Sequence, residues 1–124
     1  TLPRPWTGIK HMTRTLEIRS YTLKAGTRAA FHTLFVDQSL PMLQRWRVDV
    51  VAYGPSLHDE DSYYLMRSYA SLEDRQESQD AFYGSAEWRE GPRAGIIALI
   101  QDMTSFVIAV DDQTLAGLRG HNTL

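Results

Sequence analysis

The hydrophobic period of this chain switches repeatedly between two residues and 3.6, and the order of the switches leaves few folds open. Leu16, Ile18, Ser20 and Thr22 alternate with Glu17, Arg19, Tyr21 and Leu23, which is a strand period. "KAG" ends it. From Thr27 to about Trp46 the pattern is helical, with Phe31, Phe35, Met42 and Trp46 on one side of the wheel. Pro41 sits inside this segment and is expected to kink or break it. "VDVVAYG" and "SYYLMRSYA" read as strands joined through Gly54-Pro55 and the polar "SLHDED", so a hairpin is expected. Ser71 followed by Asp74 has the form of a helix N-terminus, and that helix should run to about Tyr83. Gly84-Ser85, a short "SAEWREGP" turn or helix and a short helix in "RAGIIALIQ" follow, and "MTSFVIAV" closes as the fourth strand.

The order β-α-β-β-α-β predicts an α+β fold, a ferredoxin-like protomer whose four-stranded antiparallel sheet carries its helices on one face. The first and third strands are expected as the two central neighbours, and that pair is expected to run parallel. At 124 residues the chain is one domain. It is expected over 14–110, with a flexible leader or cloning residues at 1–13 and a tail at 111–124 that packs on a neighbour or frays.

Composition excludes several classes. The formal charge of -2 gives no reason to expect nucleic acid or an anionic membrane as partner. No apolar run approaches the ~18 residues of a membrane span, and no secretory signal is visible, so the expected compartment is the cytoplasm. The absence of cysteine removes disulfides, thiol catalysis and thiolate metal sites. Nearly all of the 13 basic residues are arginine, as GC-rich bacterial coding would give. No phosphate-binding glycine loop or dinucleotide fingerprint is present, so no cofactor is expected. His58, Asp59, Glu60 and Asp61 are consecutive in a loop, where side chains rarely converge on one ion, so no metal site is expected either.

One tripeptide is repeated: Arg19-Ser20-Tyr21 and Arg67-Ser68-Tyr69. Residues two apart on a strand share a face, so adjacent central strands would gather Arg19, Tyr21, Arg67 and Tyr69, with Glu17 and Tyr63 extending the same face. Two guanidiniums that close need acids, aromatic faces or an anion between them. They fit a carboxylate, phenolate or enolate oxygen, and they equally fit a buried network with Glu17 and acids of a dimer mate. His32 borders the apolar helical stripe, with Ser39 at a nearby angle, and is a candidate general base. These five, Arg19, Tyr21, His32, Arg67 and Tyr69, form the candidate catalytic set. Tyr53, Tyr63, Gln76, Gln79 and Trp88 are candidate ligand-binding residues. The second long helix places Leu72, Gln76, Gln79 and Tyr83 on one side, flanked by Arg75 and Phe82, and two glutamines suit a polar cavity or a half-solvated face.

The segments "LEIRSYTLKAG", "RAAFHTLF", "LPMLQRW" and "VVAYGPSLHDEDSYYLMRSYASLEDRQESQDAFYGSAEW" resemble the NIPSNAP domain over roughly 14–110, with Tyr53 to Trp88 the most specific run. The resemblance implies a dimeric α/β-barrel, in which the sheets of two ferredoxin-like protomers face each other with the helices outside. That superfamily includes cofactor-free monooxygenases of antibiotic pathways, haem-degrading enzymes and small cyclases or isomerases. No transit peptide like that of organelle-targeted members is visible, so no mitochondrial role is carried over. The expected function is binding of an aromatic or polyketide-like small molecule by a homodimer. Oxygenation, cyclisation or isomerisation without a cofactor is the candidate chemistry. The alternative is a non-catalytic binding or assembly module whose Arg–Tyr face lies in the dimer core. An enclosed cavity of a few hundred Å3 touching His32 would favour the first, a solid core the second.

Overall fold

The computed structural model describes residues 13–119. The elements are β1 (Thr13–Leu23), α1 (Arg28–Leu34), a π-helical turn (Phe35–Ser39), α2 (Leu40–Arg45), β2 (Asp49–Pro55), β3 (Ser62–Tyr69), α3 (Leu72–Gly84), α4 (Ala86–Glu90), α5 (Arg93–Leu99), β4 (Ile100–Asp111) and α6 (Asp112–Arg119). The strands form one antiparallel sheet in the order β2-β3-β1-β4. This is the expected ferredoxin-like fold.

The direction of the central pair differs from expectation: β1 and β3 run antiparallel, with Glu17 opposite Arg67, Arg19 opposite Leu65 and Tyr21 opposite Tyr63. The reason is a count of reversals. The helical crossover returns β2 parallel to β1, and the tight hairpin then turns β3 back. The two Arg-Ser-Tyr copies therefore lie diagonally across the pair. The shared face survives, because it depends only on the two-residue period.

Local chemistry accounts for the element ends. Gly26 takes φ 76° in the turn from β1 to α1, a conformation that favours glycine. Ser71 Oγ accepts from Asp74 N at 3.0 Å and Asp74 Oδ2 from Ala70 N at 3.0 Å, the expected cap. The π-turn answers Pro41. Proline has no N–H to give to the carbonyl of Asp37 and its ring would crowd that group, so the helix widens just before it, with Leu40 N–H bonding Phe35 O. The segment stays helical instead of breaking. Phe31, Phe35 and Met42 are buried as expected, but Trp46 lies past the end of α2 as a half-exposed C-cap whose Nε1–H donates to Glu87 Oε1 at 2.8 Å.

The sheet has two unlike faces. Tyr21, Leu23, Tyr63, Leu65 and Tyr69 pack beneath the helices with Phe31, Phe35, Phe82, Trp88 and Ile96. On the other face Leu16, Val51 and Ala52 pack with Leu115 of α6, and a bulge in β2 near Val51 brings both Val51 and Ala52 into that cluster. Part of the stretch read as a tail is thus an ordered helix up to Arg119, tied to β2 by Arg119 donating to Asp49 at 2.8 and 2.7 Å. Residues 1–12, read as leader or cloning residues, and 120–124 lie outside the described residues.

Candidate functional site

Glu17 is the centre of the helix-side face. Its carboxylate is fully buried and accepts from three arginines. Oε1 takes Arg19 Nε at 3.1 Å and Arg67 Nε and Nη2 at 2.9 and 2.5 Å. Oε2 takes Arg75 Nε at 2.8 Å and Gln79 Nε2 at 2.5 Å. Burial alone would raise the carboxyl pKa, but Arg67 and Arg19, with hydrogen bonds from Gln79 and Arg67, hold it down at about 2. Among the described residues no other carboxylate is paired with these arginines, so three guanidiniums share one negative charge.

Each member is placed by its own element. Antiparallel pairing sets Arg67 opposite Glu17, and the two-residue period puts Arg19 beside it. Arg75, Gln79 and Tyr83 recur every four residues along α3 and share its inner side. Tyr83 Oη accepts from Arg67 Nη1 at 2.7 Å, and its ring lies 5.3 Å from the Arg19 guanidinium and 5.6 Å from that of Arg67. Gln79 bridges the group, accepting from Arg19 Nη2 at 3.3 Å and donating to Tyr69 Oη at 3.3 Å. Arg67 is 1% exposed at its side chain, whereas Arg19 and Arg75 keep 13% and 19%. The surplus positive charge therefore reaches solvent at Arg19 and Arg75. Burial pushes the phenols of Tyr21 and Tyr69 up, so both stay protonated.

The structure divides the candidate set. Arg19, Arg67, Tyr69 and Gln79 meet in this network, and Tyr21 lies on the same face. His32 does not join them. It is exposed on α1, with Nδ1 2.7 Å from Tyr63 Oη and its ring 6.4 Å from that of Tyr53. A surface cleft of about 260 Å3 adjoins it, lined by Arg28, Ala29, His32, Pro55 and Tyr63. Gln76 points to solvent and bonds Asp80 on its own helix. Trp88 is buried against Phe82 and Tyr83. The buried network of Arg19 and Arg67 with Glu17 is the other reading that the repeat left open; Arg75 and Tyr83, placed on or beside the expected side of the helix, were not among the candidates. The signal available was a charged residue inside a strand, facing an Arg–Gln–Tyr series at helical spacing.

A second, interior slot lies between the helices and the sheet. It measures about 30 Å3 and is lined by residues that include Tyr21, Phe35, Ser39, Phe82, Tyr83 and Trp88. Ser39 Oγ is buried there without a hydrogen-bond partner. The Arg–Tyr face is covered by α3, through Arg75 and Gln79 on Glu17. In the hairpin, Asp59 accepts from Asp61 N and Ser62 Oγ, and His58 pairs with Ser56, so these side chains serve the loop. Among the described residues no group of three or more His, Asp or Glu is placed to hold a metal ion.

The NIPSNAP family model matches residues 16–110. The chain belongs to the NIPSNAP family. A NIPSNAP family protein from Agrobacterium tumefaciens aligns with a TM-score of 0.75 at 17% identity, over 83% of this chain and 90% of that one. A second from the same organism, of unknown function, gives 0.75 at 22%, over 82% and 91%. A putative antibiotic biosynthesis monooxygenase from Chloroflexus aurantiacus gives 0.54 at 16%, over 79% and 91%. At these identities the structures speak for the fold alone, which this NIPSNAP chain shares with monooxygenases of that kind. No curated protein matches the chain. Among the described residues no helix is long and apolar enough to cross a membrane.

Proposed function

We propose that this NIPSNAP protein binds a small aromatic or polyketide-like metabolite through an anionic oxygen held at Arg19, and acts on it without a cofactor. The observation that carries the reading is the charge imbalance: three arginines converge on one carboxylate, and the partly open ones are those at the rim. One guanidinium neutralises one carboxylate; the other two leave positive charge for a ligand. Glu17, held at about 2, is too weak a base to take a proton from a metabolite near neutral pH. Tyr21 and Tyr69 stay neutral donors. The site therefore favours stabilisation of a carboxylate, phenolate or enolate, the charge that develops in oxygenase, cyclase and isomerase chemistry of the cofactor-free kind.

A homodimer belongs to the same proposal. Ile18 and Met66 continue on β4 into Phe106 and Ile108, which are 74% and 44% exposed, on the half of the outer face that α6 does not cover. A contiguous apolar face of this kind suits a second copy.

Native mass spectrometry of wild-type protein and Arg19→Met against a library of aromatic acids, phenols and neutral analogues tests the binding. Methionine keeps much of the stem packing and removes the charge. Retention of an acid or phenol by wild type and its loss in Arg19→Met are expected. Equal retention by both proteins would refute the role of Arg19.

A further inference from the structure

The slot holding Ser39 is the feature that neither the fold nor the arginine network explains. A serine inside a helix ordinarily turns its hydroxyl to solvent or back to the carbonyl four residues earlier. Ser39 does neither: it is 4% exposed, its Oγ has no partner, and Phe35 O is engaged by Leu40 N–H across the π-turn. The hydroxyl opens into a space of about 30 Å3, more than the 10–15 Å3 that one water needs. The rest of the wall is apolar and mostly aromatic, with the Phe82, Tyr83 and Trp88 rings at centroid distances of 5.0 to 5.4 Å from one another. Tyr83 is common to both regions. One side of it borders the slot, and its ring and hydroxyl meet Arg19 and Arg67.

We propose that the slot seats the ring of the ligand, with Ser39 Oγ hydrogen-bonded to a neutral oxygen on the ring and the anionic group reaching past Tyr83 to Arg19. The ligand class is then an aromatic acid bearing a hydroxyl or carbonyl remote from its acidic group. The inference rests on the anion-binding reading above. At about 30 Å3 the slot is too small for a ring, so the aromatic wall parts on binding and Trp88, which lines it, changes environment.

Three probes separate the two ideas: para-hydroxybenzoate carries both groups, benzoate lacks the hydroxyl and para-cresol lacks the acid. Each is titrated calorimetrically into wild type, Ser39→Ala and Arg19→Met, with Trp88 fluorescence followed in parallel and Trp88→Phe as control. The expected pattern is a weakening of para-hydroxybenzoate by about fivefold in Ser39→Ala, the worth of one neutral hydrogen bond, with benzoate unchanged. Arg19→Met should weaken both acids and spare para-cresol. If Arg19→Met weakens the acids while Ser39→Ala is indifferent to all three probes, or if binding leaves Trp88 unaffected, the slot is occupied by water only and this inference falls while the anion reading stands. If Ser39→Ala weakens the two phenols and Arg19→Met weakens nothing, the anion reading falls and the ring remains in the slot. If no probe binds, both fall.

Discussion

Removing the Glu17 charge is the most demanding test of the network, because this one carboxylate accepts from three arginines and Gln79. Glu17→Gln keeps the shape and one acceptor oxygen and leaves three arginines without a counter-charge. Two routes give the size of the effect. The carboxyl falls from 4.5 to about 2 on folding, which corresponds to about 3 kcal/mol of native-state stability at neutral pH. Removing one partner of a buried ion pair typically costs about 3–5 kcal/mol. The pH dependence follows from the sign. The folded-state pKa is depressed, so the contribution is complete above about 4.5 and is lost as pH falls toward about 2. Urea unfolding of wild type and Glu17→Gln across that range is the assay. Asp49, Asp59, Glu87 and Asp111 also sit below their ordinary values, but they are present in both proteins and cancel in the difference. The two stability curves should lie about 3 kcal/mol apart at neutral pH and converge at low pH. Parallel curves would mean that Glu17 is not held by the arginines, and the charge argument would fail with it.

Two further outcomes follow from the same geometry. Arg19 and Arg67 share Glu17 Oε1, so Arg19→Met and Arg67→Met should be non-additive by about 0.5–3 kcal/mol in urea unfolding, with Arg67→Met the costlier; strict additivity would refute the shared acceptor. Phe106→Lys on the uncovered half of the sheet should convert a dimer to a monomer by light scattering with an unchanged circular dichroism spectrum, and a wild-type monomer mass at working concentration would end the dimer proposal.

Strand order was legible because period, turn residues and caps are local. Ser71 and Asp74 announced α3, and Gly54-Pro55 announced the hairpin. Pairing direction is not local, and the parallel expectation for β1 and β3 failed on a count of chain reversals. The helical wheel failed where its fixed step failed. The π-turn at Phe35–Ser39 adds a residue to one turn and leaves Ser39 lining the slot, and α2 ends at Arg45, so Trp46 falls at the C-cap and off the buried stripe. On α3 the wheel put Gln76 with Gln79. The inner side is instead Arg75, Gln79, Phe82 and Tyr83: Arg75 and Gln79 donate to Glu17, and Phe82 is buried in the core. His32 was chosen for its chemistry and stands at a different cleft from the arginines, a separation that residue type cannot reveal.

The polar underside of α3 bears on what the network is for. A helix covering a sheet is ordinarily held by an apolar stripe, and a buried ion pair replaced by well-packed apolar groups is often neutral or stabilising. Stability alone therefore gives little reason for Glu17, and none for three arginines around it. One guanidinium, that of Arg67, would neutralise the carboxylate, and its two contacts to Oε1 already do so. The additional charge is at Arg19 and Arg75, the two that keep contact with solvent. In a purely structural network the surplus would be repulsive, offset in part by the Tyr83 ring and by solvent at Arg19 and Arg75. With an anionic oxygen at the rim, the same arrangement is preorganised: Glu17 fixes the guanidiniums in place before the ligand arrives, so little ordering remains to oppose binding.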